Sequence, residues 1–117
     1  FMLTQFLIPA LLKSDDARII FLSSTVGRKA RAYWGAYSVS KFGIEGFAKT
    51  LSEELEKTQI SVNTVNPGNL RTEMRRTAYP AEDSSTVPLP EEKSQAIVHL
   101  LSSSSPKING EQLTISD

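Results

Sequence analysis

The chain has 117 residues, 13 Lys+Arg against 13 Asp+Glu, one His and no Cys. That length suits a single domain with an ordinary globular composition, and zero net charge argues against a nucleic-acid or anionic-membrane binder. Lack of cysteine excludes disulfides, thiolate zinc sites and a cysteine nucleophile, fits a reducing, cytoplasmic setting, and no metal site or membrane span of roughly 20 apolar residues is predicted.

Phe1 to Lys13 places Leu3, Phe6, Leu7, Ala10 and Leu11 at helical spacing, so the chain opens inside a helix that Pro9 should bend or edge. After a Ser14–Asp16 turn, Arg18 to Ser23 is a short apolar run without alternation, expected of a strand covered on both faces. A polar loop, Ser24 to Tyr33, precedes a helix over Gly35 to Lys57. Tyr37, Phe42, Ile44, Phe47, Ala48, Leu51 and Leu55 should form its buried side. Ile60 to Val65 reads as the second strand, ended by Asn66-Pro67-Gly68, and an irregular stretch to Leu89 includes a helical turn near Thr72 to Thr77. Pro90 to Leu101 is an amphipathic helix with proline at its start. Ala96, Ile97, Leu100 and Leu101 should face the core. A serine-rich loop, an Asn109-Gly110 turn and a strand over Gln112 to Ile115 complete the chain. This order predicts an α/β fold with a parallel sheet built by right-handed crossovers. Ligands of such sheets bind beyond the carboxyl ends of the strands, here Ser23–Ser24 and Asn66–Gly68.

Tyr37 and Lys41 stand four apart at the start of the long helix and share a face. An ammonium beside a phenol favours the phenolate, which suits the tyrosine to acid–base work on an alcohol or carbonyl. Alone, such a pair is usually just helix surface. Ser24, thirteen residues before Tyr37 at a strand end, can donate to or accept from a bound carbonyl, or else satisfy its own turn. Pro67 and Gly68 would fix a tight bend and let a flat ligand approach the main chain, or form an ordinary turn.

Together, Ser24, Tyr37-Ser-Val-Ser-Lys41 and Pro67-Gly-Asn-Leu-Arg-Thr72 resemble the short-chain dehydrogenase/reductase family. The resemblance runs over essentially the whole chain, and Asn66 to Arg75 with Ala78-Tyr-Pro and Glu82-Asp83 is similar to its bacterial YciK-type oxidoreductases. It implies the carboxyl-terminal part of a Rossmann-type doubly wound sheet, with hydride transfer between NAD or NADP and a small-molecule carbonyl or secondary alcohol. Tyr37 would then be the proton donor in reduction, and Lys41 would favour its ionised form and bond the nicotinamide ribose. Ser24 would orient the substrate oxygen. The Leu70 backbone would meet the carboxamide, Thr72 would bond near it, and Pro67–Gly68 would shape the wall. The family's dimer or tetramer surface maps onto the helices over 1–13 and 35–57.

Residues Glu73 to Pro88 occupy the place of the family's substrate-covering loop, polar and without periodicity, as expected of a mobile lid. Arg71, Arg75 and Arg76 read as a solvated cluster or an anion receptor, and Arg28, Lys29 and Arg31 as a solvated loop. His99 reads as structural or exposed, Trp34 as packing against the covering loop, and Met74 as pocket lining or gap filler. The family's glycine-rich pyrophosphate turn has no counterpart among the six glycines. Residues 1–117 are therefore expected to be the carboxyl-terminal half of one NAD(P)-binding domain, cut at Phe1. The alternative is an inactive fragment that acts as a self-associating module.

Overall fold

The computed structural model describes residues 1–115. Three parallel strands, β1 (Ala17–Leu22), β2 (Ile60–Asn66) and β3 (Gln112–Thr114), form one sheet in the order β1-β2-β3. The helices are α1 (Met2–Leu11), α2 (Gly35–Glu54), α3 (Glu73–Ala78) and α4 (Pro90–Leu101), with 3₁₀ turns at Thr25–Gly27 and Ser84–Thr86. The expected α/β architecture is present, with the helix over Pro90–Leu101 as expected and the other strand and helix bounds within three residues.

β2 lies in the middle, and all seven of its residues are buried. Its β-branched Ile60, Val62, Thr64 and Val65 suit a strand pressed from both sides. Val62 and Val65 are fully enclosed, each burial being worth about 1.5–3 kcal/mol. Ala17 aligns with Ile60 and Leu22 with Val65, so the carboxyl ends of β1 and β2 finish side by side. β3 pairs only with Thr64 to Asn66. Nearer the amino end of β2, the Asn109-Gly110 turn takes over. Val62 N–H donates to Asn109 Oδ1 at 2.8 Å, and Gly110 N–H to Val62 O at 2.8 Å. Gly110 has φ +75°, a left-handed conformation that glycine adopts freely.

Ala17, Ala48, Leu51, Ile60 and Val62 form the core, joined by half-buried Ile8, Leu11, Ile19, Phe21, Phe47 and Leu55. Alternation along β1 turns Ala17, Ile19 and Phe21 toward α1 and α2, and Arg18 toward the other face. There Arg18 donates to the carbonyls of Leu100, 3.2 Å, and Ser105, 3.0 Å, which places the end of α4 opposite α2. The two crossovers therefore have opposite hands, which corrects the expectation that both are right-handed. One face is already covered by α1 and α2, and the long 67–89 connection lets the chain cover the other.

Other expectations also change. Of the apolar face expected on α1, only Leu11 packs, joined by Ile8, while Phe6 is 81% and Leu3 70% exposed. A helix apolar nearly all round can turn only one stripe to a core. Phe42 and Leu101 are likewise exposed, and β1 is half-buried rather than fully covered because it forms the sheet edge. Pro9 sits within α1, which continues to Leu11.

One contact fixes how the first 3₁₀ turn meets α2. A Cβ at Gly27 would stand 2.8 Å from the backbone oxygen of Lys41 and 2.9 Å from Ser23 Oγ. Backbone cannot yield as a flexible side chain can, so Gly27→Ala should destabilise the fold by about 1–3 kcal/mol. Urea unfolding of the two proteins checks this, and an unchanged midpoint would show that the turn has room.

Candidate active site

Beyond Leu22, the Ser23 N–H still donates to Val65 O at 2.8 Å, extending the ladder by one residue. Ser24 then leaves the sheet in extended conformation and caps the 3₁₀ turn, its Oγ accepting from Val26 N–H at 3.3 Å. The ordinary turn role weighed for Ser24 is thus real, and its own hydroxyl proton remains to be donated. Next door, Asn66 Oδ1 accepts from Gly68 N–H at 3.1 Å, and Gly68 takes φ +77° directly after buried Pro67. Only glycine adopts that bend without strain.

Tyr37 and Lys41 lie in the first two turns of α2, both half-buried. Lys41 Nζ donates to the Leu22 carbonyl at 2.8 Å and stands 5.7 Å from the centre of the Tyr37 ring. The ammonium therefore ties the tyrosine's helix to the end of β1, two residues before Ser24. Trp34 packs edge-on to Tyr37 at 5.6 Å and reaches Tyr79 of the 73–88 stretch at 5.9 Å, the packing expected of it. Leu70 is half-buried. Thr72 is exposed and caps α3, its Oγ1 accepting from Arg75 N–H at 3.2 Å. It borders a cavity of about 290 Å³ shared with Arg71, Arg75, Tyr79 and Glu82.

The basic clusters are solvated in part: Lys29, Arg31 and Arg76 are exposed as expected, whereas Arg28, Arg71 and Arg75 are half-buried. Arg71 clasps its own segment through the carbonyls of Val87 and Ser85, both at 2.9 Å, while its N–H donates to Pro88 O. Arg75 makes two 2.7 Å bonds to Glu82 and lies over the Tyr79 ring, whereas Arg76 pairs with Glu73 in the open. Arg31 stacks 4.8 Å from the Trp34 ring and donates to Tyr79 Oη at 2.7 Å. Arg28 turns inward and donates to Glu45, Leu113 O and Thr114 Oγ1, each at 2.9 Å. Met74 is 72% exposed and neither fills a gap nor lines the cavity.

Sequence reasoning missed Glu45. It lies one turn beyond Lys41 and is buried, and it also accepts from Thr64 Oγ1 at 2.7 Å and Gln112 Nε2 at 2.9 Å. A carboxylate between Ile44 and Gly46, in the Tyr37–Lys41 stripe, was the available signal.

Residues 1–83 match the short chain dehydrogenase family. The chain belongs to that family. It is 50% identical to the uncharacterised Escherichia coli (strain K12) oxidoreductase YciK over 90 residues, 77% of this chain and 35% of that protein. A short-chain dehydrogenase structure from Salmonella enterica serovar Typhi superposes with TM-score 0.93 at 42% identity, over 97% of this chain and 47% of that one. A protein assigned to the same family from Shigella flexneri 2a, solved with NADP, gives TM-score 0.92 at 42% identity, with 97% and 47% covered. The chain thus spans about a third to a half of the length of these relatives. Its three parallel strands and flanking helices are part of the Rossmann-type sheet of the short-chain dehydrogenases. Among the described residues no helix is long and apolar enough to cross a membrane.

Within this family member the Glu45 carboxyl responds to opposed influences. Burial pushes it up, but the hydroxyls of Ser23 and Thr64 and the Arg28 guanidinium outweigh that and hold it below the ordinary glutamate value of 4.5. The Ser23 hydroxyl lies close by without meeting hydrogen-bond geometry. Glu82 is held low as well, chiefly by its hydrogen bond from Arg75. A carboxyl lowered by folding stabilises the native state above its unfolded value and loses that contribution as pH falls through its folded one. Stability should therefore decline on acidification below about pH 5. Glu45→Gln, lacking one of these proton sites, should show a shallower acid slope in urea midpoints measured across that range. Parallel slopes would contradict the assignment.

Proposed function

We propose that the protein containing this chain is an oxidoreductase that moves a hydride between NAD(P)(H) and a carbonyl or secondary alcohol, with Tyr37, Lys41 and Ser24 as its acid–base site. The observation that carries this reading is the Lys41 ammonium, bonded to the Leu22 carbonyl and close to the Tyr37 ring. Tyr37 gives its hydroxyl proton to the carbonyl oxygen as that oxygen gains charge, and takes a proton back in the reverse direction. Lys41 offsets the negative charge left on the phenol oxygen. Ser24 donates its remaining proton to the same substrate oxygen and fixes its position.

The donor set at this edge fits the nicotinamide end of the coenzyme. Lys41 spends one of three N–H donors on Leu22, leaving two for ribose hydroxyls. Gly68 keeps the bend beyond β2 bare of side chain, and Pro67, Leu70 and Thr72 continue the same wall. The coenzyme supplies the hydride donor or acceptor. No glycine-rich pyrophosphate turn lies within these 117 residues, and we assign the chain to the carboxyl-terminal half of one NAD(P)-binding domain. Self-association through the 1–13 and 35–57 helices would cover Met2, Leu3, Phe6, Val39 and Phe42, all exposed.

In the active protein that contains this chain, Tyr37→Phe should lower turnover by about 10²–10⁴ while coenzyme still binds. Steady-state kinetics with coenzyme titration check this. Near-normal turnover would overturn the assignment.

A further inference from the structure

We infer that Glu45 is a positioning residue of the proposed site: its buried carboxylate fastens the helix bearing Tyr37 and Lys41 to the turn that follows Ser24. The inference rests on the function proposed above. Tyr37, Lys41 and Glu45 are spaced four apart and share one stripe of α2. Glu45 is 7% exposed, and its donors come from three separate pieces of chain. Arg28, just past the 3₁₀ turn, bonds Oε1, while Thr64 on β2 and Gln112 on β3 both bond Oε2. Arg28 is fixed in turn by Leu113 O and Thr114 Oγ1.

A buried ion pair is a poor source of stability, because stripping water from two charges offsets much of their attraction. What this pair supplies, and apolar residues of equal size would not, is direction. Each bond constrains an angle as well as a distance, so α2, the turn, β2 and β3 hold one mutual placement. Gly27 tightens the same joint, since its bare backbone lets the turn seat against Lys41. Ser24 and Tyr37 can address one carbonyl oxygen only while that placement holds. A misplacement of about 1 Å far from the chemistry can cost on the order of 10² in rate.

The test uses the active protein that contains this chain. Steady-state kinetics and coenzyme dissociation constants are measured for Glu45→Gln, Thr64→Val, Thr64→Ser and Tyr37→Phe, well below each variant's unfolding midpoint. Glutamine cannot accept from all three donors, and valine removes the Thr64 hydroxyl at nearly constant shape. Both should lower kcat about tenfold or more, with a smaller loss of coenzyme affinity because Lys41 rides on the same helix, and Thr64→Ser should recover most of the rate. Wild-type kcat in folded Glu45→Gln and Thr64→Val overturns the inference, as does equal loss in the serine and valine variants. Should Glu45→Gln fail to fold, the Thr64 pair decides alone. An active Tyr37→Phe enzyme overturns the site and the role of Glu45 together. An inactive Tyr37→Phe beside a fully active Glu45→Gln overturns only the positioning role.

Discussion

Seven consecutive residues of β2 are shut away from water, and several carry polar side chains that must find partners inside the protein. Asn63 donates to Ile108 O and accepts from Glu111 N–H, which pins the approach to β3. Thr64 bonds Glu45 and so reaches α2. Asn66 turns its side chain onto Gly68 N–H and shapes the bend beyond the strand. Burial of one strand thereby dictates where the third strand starts, where the long helix sits and how the chain leaves the sheet. Hydrophobic burial supplies the driving force here, while these hydrogen bonds select one arrangement among those equally well buried.

The proposed site stands on that frame at a seam between elements. Tyr37 and Lys41 are neighbours by helix geometry alone, but their relation to Ser24 depends on Lys41 reaching the last carbonyl of β1. The 71–88 segment is tied to itself by Arg71 and Arg75, and meets the start of the long helix through Tyr79 against Trp34 and Arg31. Those outer ties are main-chain hydrogen bonds, an ion pair and ring contacts near the surface. The inner ties are buried and directional. The buried ties thus lie nearest the strand ends and the exposed ones outermost.

Periodicity exposed the helices and strands because their apolar spacing is local, and the Ser24, Tyr37-to-Lys41 and Pro67-to-Thr72 motifs exposed the candidate site and family. Long-range choices were less legible. Nothing in the spacing of Leu3 and Phe6 distinguishes a face turned to this core from one left open. The opposite crossover hands follow from Arg18 reaching the end of α4, a contact 82 residues apart in sequence. Arg28 and Glu45 each resemble a solvated surface charge when read singly. Their burial is a property of the pair, created when two segments 17 residues apart close on β2 and β3.

The Asn109-Gly110 turn makes the two margins of the sheet unequal. On the β3 side the ladder is three residues long, then gives way to an asparagine side chain and a left-handed glycine, a blunt border with little to template an incoming chain. On the β1 side six residues run straight along the margin. Among the described residues the longer straight margin is therefore that of β1, and the β3 margin is half as long.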